Sequence, residues 1–184
     1  MAAEDARPAE AIMRSVVSAL EEAEPGPPNG IALVRDAMGG LLALRAAMAR
    51  GDVPDPGELR RFRARAATSL NSGRNPGQFA AYRGRVLAHA QRGRLDGYRF
   101  ACAERSALQF LREDFAEFYK FDDLALADLD EIDEELSDAA RDAPPIRDVP
   151  SWVPELHWWW RAAKRVDMSE AEARHRLSGG GLDW

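Results

Sequence analysis

The chain has 184 residues, of which 46% are hydrophobic and 30% charged, and its net charge at pH 7 is −6. A chain of this length needs neither a disulfide nor a metal to hold its core, and its single cysteine, Cys102, excludes an internal disulfide and fits a reducing compartment. No basic segment followed by a long apolar run opens the sequence, and no apolar run is long enough for a bilayer. We therefore expect a soluble, cytoplasmic protein with no membrane insertion.

The composition favours helices. Val, Ile and Thr together number only thirteen, whereas Ala, Leu, Arg and Glu are abundant. The expected fold is all-α: a compact bundle of about six helices over residues 1–142, a proline-rich connector over 143–151, a short tryptophan-rich helical hairpin over 152–178 packed on the bundle, and a flexible tail over 179–184.

Two helices are predicted at the start of the chain. The first covers about 8–24, where Ile12, Val16 and Leu20 repeat at helical spacing. The second covers about 30–50 and has Gly39 and Gly40 at its centre. Adjacent glycines in a helix indicate a weak point, a kink or close packing against a neighbour.

The middle of the chain predicts four more helices, over about 58–70, 75–92, 95–121 and 123–141. The second of these follows a loop, and Asn75 and Gln78 have the spacing of an N-terminal capping box. The third carries aromatic residues on a wide arc, which is typical of a central helix. The fourth is acidic, with Leu126, Leu129, Ile132 and Leu136 in register.

The last part predicts a helix from Pro154 to Val166 and a short helix that begins after Ser169. Successive helical residues are rotated by about 100°, so three consecutive tryptophans cannot all face one neighbour. The predicted inward stripe is Leu156, Trp159 or Trp160, Ala163 and Val166. Trp158 then points elsewhere.

This arrangement suggests a surface for a partner protein, because exposed tryptophan beside arginine is typical of binding centres. The candidates are Trp158, together with His157 and Arg161, which we expect to be exposed, and the tail residues Leu182 and Trp184. A tryptophan cluster that only fills the core, and a tail that packs back on the bundle, are the structural alternatives.

The charges are sorted along the chain. Residues 57–105 hold eleven arginines and three acids, and residues 106–150 hold fourteen acids and four bases. An arginine-rich segment with interleaved aromatics can bind nucleic acid, or it can pair with the acidic helix that follows. The possible nucleic-acid contacts are Arg61, Arg65, Arg83, Arg85, Arg92 and Arg94.

No phosphate-binding loop, nucleophile motif or metal-ligand spacing occurs, so the sequence predicts no catalytic residue, cofactor or metal. The favoured function is a non-enzymatic interaction protein, such as an adaptor, a chaperone-like protein or a regulatory subunit. The main alternative is a nucleic-acid-binding accessory protein. An enzyme of unknown class ranks third.

Overall fold

The computed structural model describes residues 7–178, and within that range the chain forms eight helices and no strand. The all-α prediction is confirmed. No helix in the described range combines the length and the apolar composition that crossing a membrane requires. The helices are α1 (Ala9–Ala23), α2 (Gly30–Ala49), α3 (Pro56–Leu70), α4 (Asn75–Arg92), α5 (Tyr98–Asp114), α6 (Asp123–Ala139), α7 (Trp159–Ala162) and α8 (Glu170–Ser178).

The described residues fold as two compact units. The first unit contains the chain up to Tyr82 together with Ala107–Asp122, and the second contains Arg83–Ser106 together with the chain from Asp123 onward. The chain passes from one unit to the other at three points. Two of these borders lie inside helices, one in α4 and one in α5, and the third lies at the start of α6. The predicted connector, 143–151, therefore lies within the second unit.

In the first unit α1 packs against α2 through a buried apolar face that includes Ile12, Val16 and Leu20. Helix α2 is continuous through both central glycines. A Cβ atom on Gly40 would lie 2.4 Å from Cγ2 of Val16, whereas a Cβ atom on Gly39 would meet nothing within 4 Å. Close packing, one of the three expectations for this glycine pair, is confirmed for Gly40.

The capping box predicted at Asn75 and Gln78 does not form. Asn75 Nδ2 donates to the carbonyl oxygens of Leu20 and Ser69, at 2.7 and 2.8 Å, and Gln78 Nε2 donates to the carbonyl of Ala23 at 2.9 Å. Leu20 and Ala23 belong to the last turn of α1, and their carbonyls also accept from the backbone N–H groups of Glu24 and Gly26. The two side chains therefore add hydrogen bonds to the end of α1.

Helix α5 ends at Asp114, seven residues before the predicted end at Phe121. The chain then turns, with Tyr119 N donating to Phe115 O at 2.7 Å. The rings of Tyr119 and Phe121 lie edge-on to Phe79, with centroids 6.0 and 5.9 Å away. The helix stops because these aromatic side chains fold onto α4.

Alanine substitutions at the two central glycines of α2 should change the free energy of unfolding in opposite directions. Gly40→Ala should lower the free energy of unfolding by about 1–3 kcal/mol, because the new methyl group collides with buried Val16. Gly39→Ala should raise it by about 0.5–1 kcal/mol, because alanine is the better helix former and nothing is in its way. Urea unfolding followed by circular dichroism measures both values, and equal effects of the two substitutions would contradict the packing described here.

Candidate functional site

The tryptophan-rich segment of the second unit is not the helix that its spacing predicts. Only Trp159–Ala162 is helical, and the preceding residues form tight turns. Backbone hydrogen bonds here span three residues, from Trp160 N to His157 O at 3.3 Å and from Arg161 N to Trp158 O at 2.9 Å. The predicted helix over 154–166 is therefore wrong. Of the inward stripe that depended on it, Trp159, Trp160 and Ala163 are buried as predicted, whereas Leu156 and Val166 are exposed.

The hydroxyl of Ser106 organises this segment. It accepts hydrogen bonds from Trp159 Nε1 at 3.1 Å and from Trp160 Nε1 at 2.9 Å, and it lies 3.0 Å from His157 Nδ1. A serine hydroxyl has two acceptor positions and one donor proton. Trp159 Nε1 also donates to the carbonyl oxygen of Cys102 at 3.1 Å, so its proton is shared between two acceptors. With both indoles donating to Ser106, the serine proton is directed to His157 Nδ1. We call Ser106, His157, Trp159 and Trp160 the Ser106 cluster.

A serine within hydrogen-bond distance of a histidine is also the arrangement of an activated nucleophile. Here both side chains are buried, and the oxygen that would attack already holds two indole protons. The Ser106 hydroxyl and the His157 ring are thus held by packing and hydrogen bonds in the interior of the second unit.

Further polar contacts fix the backbone of Trp159. Tyr98 Oη donates to its carbonyl oxygen at 2.7 Å, and Cys102 Sγ approaches the same oxygen at 3.5 Å. Burial raises the pKa of both the Tyr98 hydroxyl and the Cys102 thiol, so both groups keep the proton that they donate. A thiol held in this form is a poor nucleophile.

The ring of Trp159 is held by a cation and a second ring. The Arg105 guanidinium carbon lies 4.5 Å from the centroid of the Trp159 ring, and the His157 ring stacks on Trp159 with centroids 4.7 Å apart. Arg105 is itself buried and pairs with Asp133 of α6 through Nε at 2.7 Å and Nη2 at 2.9 Å. The Ser106 cluster is thus joined to the acidic helix.

With Trp159 and Trp160 both buried, neighbouring side chains are left outside. The exposed fraction is 84% for Leu156 and 39% for Trp158, and Arg161 is also exposed. Arg161 Nη1 donates to the carbonyl of Pro154 at 3.2 Å. This hydrogen bond spans the turns that carry Leu156 and Trp158. We call Leu156, Trp158 and Arg161 the Trp158 surface.

The structure therefore changes the predicted partner-binding set. Trp158 points away from the core, as predicted, but His157, which was expected to be exposed, is buried in the Ser106 cluster. Leu156 and Val166, which were expected to be buried, are exposed. These three errors share one cause, because a helical period was applied to a segment that is mostly turns.

The tail candidates, Leu182 and Trp184, lie outside the described residues.

In the second unit, several residues of the arginine-rich segment pair with α6. Arg83 Nε lies 2.7 Å from Asp128 Oδ2, and Arg94 Nη2 lies 2.8 Å from Glu135 and 3.1 Å from Asp138. Arg105 makes the pair with Asp133 given above. The acidic helix is thus the counter-charge for this part of the basic segment.

Four of the six proposed nucleic-acid contacts are occupied by carboxylates. Besides Arg83 and Arg94, Arg92 pairs with Asp96 at 2.7 Å, and in the first unit Arg65 pairs with Glu21 at 2.7 Å. Arg61 and Arg85 are exposed and form no ion pair among residues 7–178. These pairings leave no continuous set of open arginines among the six.

Comparison with family models, curated proteins and solved structures finds no match for this chain. Within the described part of the chain, no group of three or more His, Cys, Asp or Glu side chains is placed to hold a metal ion.

The Ser106 cluster predicts a large effect for the loss of a single oxygen atom. Ser106→Ala removes the hydrogen-bond acceptor of Trp160 Nε1 and the donor to His157 Nδ1, and buried polar groups left without partners cost about 1–3 kcal/mol each. We expect the free energy of unfolding to fall by about 2 kcal/mol or more in urea titrations. Ser137→Ala, an exposed position in α6, is the matched control and should change it by less than about 0.5 kcal/mol. Equal values for the two variants would show that the cluster contributes nothing.

Proposed function

We propose that this chain is a non-enzymatic protein-interaction module, such as an adaptor, a chaperone-like protein or a regulatory subunit, and that it docks on its partner through the Trp158 surface. One observation carries the proposal. Leu156 and Trp158, two positions apart in sequence, are both exposed, and the residues that follow them in this turn are fixed by buried hydrogen bonds to Ser106, Tyr98 and Cys102.

Rigid presentation matters for binding energy. Ordering a side chain or a loop at an interface costs free energy, and a surface that is already ordered avoids that cost. Trp158 packs edge-on against Trp159, with ring centroids 5.8 Å apart, and Trp159 is itself fixed by the Ser106 cluster. The Trp158 ring is therefore held in place before any partner arrives.

The residue types also define the partner. Tryptophan and arginine are enriched among the residues that dominate interface energy, and such residues fill apolar pockets that exclude water. Leu156 and Trp158 would enter an apolar groove on the partner protein, and Arg161 would face a carboxylate at its edge. Lys164, which is also exposed, adds positive charge nearby in the sequence.

Nucleic-acid binding remains the alternative prediction, and the ion pairs weaken it. Binding to phosphates depends on arginines that can exchange counterions for phosphate contacts. Arg65, Arg83, Arg92 and Arg94 already face carboxylates, so each would have to give up that partner first.

Removing the tryptophan ring tests the proposed surface. Tagged wild-type protein, Trp158→Ala and the control Leu95→Ala, another exposed apolar residue of the second unit, are used as baits in extracts of cells that express the chain. A partner is accepted only if purified wild type binds it in calorimetry. We expect Trp158→Ala to weaken its Kd about thirtyfold, equivalent to about 2 kcal/mol, and Leu95→Ala to leave the Kd unchanged.

Three results would count against this function. Identical partners and affinities for wild type and Trp158→Ala would remove the surface from consideration. A loss of stability above about 3 kcal/mol in Trp158→Ala would assign the ring to the core. Steeply salt-dependent binding of labelled oligonucleotides between about 50 and 200 mM salt would instead favour the nucleic-acid alternative.

A further inference from the structure

A cleft lies in the second unit between the proline-rich segment 144–148 and the chain from Arg165 through α8. Its volume is about 400 Å³. Part of its lining is apolar and comes from Pro144, Val166, Met168 and Leu177. None of the residues of the Trp158 surface lines it, so it is a separate site.

The walls of the cleft are held in position by polar contacts. Arg165 N donates to Ala143 O at 3.2 Å, which fixes one wall against the other. Asp148 accepts from Arg99 Nη1 at 2.7 Å, and Arg176 of α8 donates to the carbonyl oxygen of Arg94. The cleft is therefore formed before any ligand binds.

Helix α8 leaves an apolar face uncovered. None of its residues is buried, yet Ala173 and Leu177, four positions apart and so on one side of the helix, both line the cleft. Val166 lies across from them in the lining with 81% of its surface exposed. These side chains form an apolar patch in the cleft that the described part of the chain covers only in part.

Two unpaired arginines of the cleft favour an acidic ligand. Asp148 pairs with Arg99, and Arg165 pairs with both Asp167 and Asp142. Arg147 and Arg174 are exposed and form no ion pair within residues 7–178. The lining also contains Glu170, so its charges sum to zero when these ion-pair partners are counted, and the attraction for an acidic ligand comes from the two unpaired arginines.

The shape favours a chain segment over a small molecule. Small-molecule sites bury about 70–90% of the ligand surface, whereas Arg147, Val166 and Arg174 are all exposed along this cleft. An open groove with an apolar patch and flanking cations suits an extended peptide, whose side chains can be read separately.

We propose that this cleft binds an acidic peptide segment of a partner protein. One large apolar side chain of the peptide packs on Val166, Met168 and Leu177, and its carboxylates pair with Arg147 and Arg174. This second binding site is independent of the Trp158 surface.

A random peptide library displayed on phage tests the proposal while the partner protein is still unidentified. Full-length wild type should enrich peptides with carboxylates next to a large apolar residue. The best peptide is then made with a fluorescent label and titrated by anisotropy. We expect the double variant Arg147→Ala/Arg174→Ala to raise its Kd at least tenfold, and Val166→Asp to raise it by a similar factor.

Two control variants test whether the loss of peptide binding is specific to the cleft. Arg85→Ala removes an exposed arginine outside the cleft, and Trp158→Ala removes the centre of the other surface; both should leave the Kd within about twofold of wild type. A library that yields no acidic and apolar consensus, or a peptide that the double arginine variant binds as tightly as wild type, would overturn the proposal. So would a labelled oligonucleotide that competes for the same two arginines with equal affinity.

Discussion

The surface presented by the tryptophan-rich segment depends on one hydroxyl group. Buried indole rings contribute a large apolar area, but each carries an N–H group that must find an acceptor. Ser106 supplies that acceptor to Trp160 and, together with the carbonyl oxygen of Cys102, to Trp159, and its hydroxyl lies 3.0 Å from His157 Nδ1. Because two consecutive tryptophans turn inward to reach it, Leu156 and Trp158 are left on the outside.

Beside the same segment, residues of the arginine-rich and acidic parts of the sequence form an ion pair. Arg105 lies over Trp159 and pairs with Asp133, so a residue of the basic half of the chain meets one of the acidic half beside the cluster. The Arg105 side chain is buried, whereas that of Asp133 is 30% exposed. The pair gains little net stability because the arginine loses most of its water. Its geometry is nevertheless specific, since two hydrogen bonds and a ring contact fix a single orientation. Arg83 and Arg94 extend the pairing along α6.

The elements that the sequence predicted well are those whose signal is local. The apolar periodicity of α1 and α6 was sufficient to place both helices, and Ser169 begins α8 by accepting from Glu172 N at 3.2 Å, as the capping pattern indicated. Their burial patterns repeat within a few residues, so no distant contact was needed to predict them.

The errors have a different physical origin. Asn75 and Gln78 have the spacing of a capping box, but carbonyls 55 residues away in sequence bind them instead. His157 is polar and lies next to exposed positions, yet a serine 51 residues away buries it. In both cases a long-range partner overrides a local pattern, and one sequence contains no signal for such partners. The cleft between segment 144–148 and α8 was not predicted from the sequence either, because its two walls come from separate segments of the chain.

The most direct test is hydrogen exchange of the indole N–H groups, measured by NMR on protein labelled with ¹⁵N at tryptophan. The Nε1 protons of Trp159 and Trp160 should exchange slowly, because both are buried and bonded to Ser106, whereas that of Trp158 should exchange quickly. Single Trp→Phe variants assign the signals. Rapid exchange at Trp159 and Trp160, or protection of Trp158 equal to theirs, would contradict the inward anchoring and the exposed surface that follows from it.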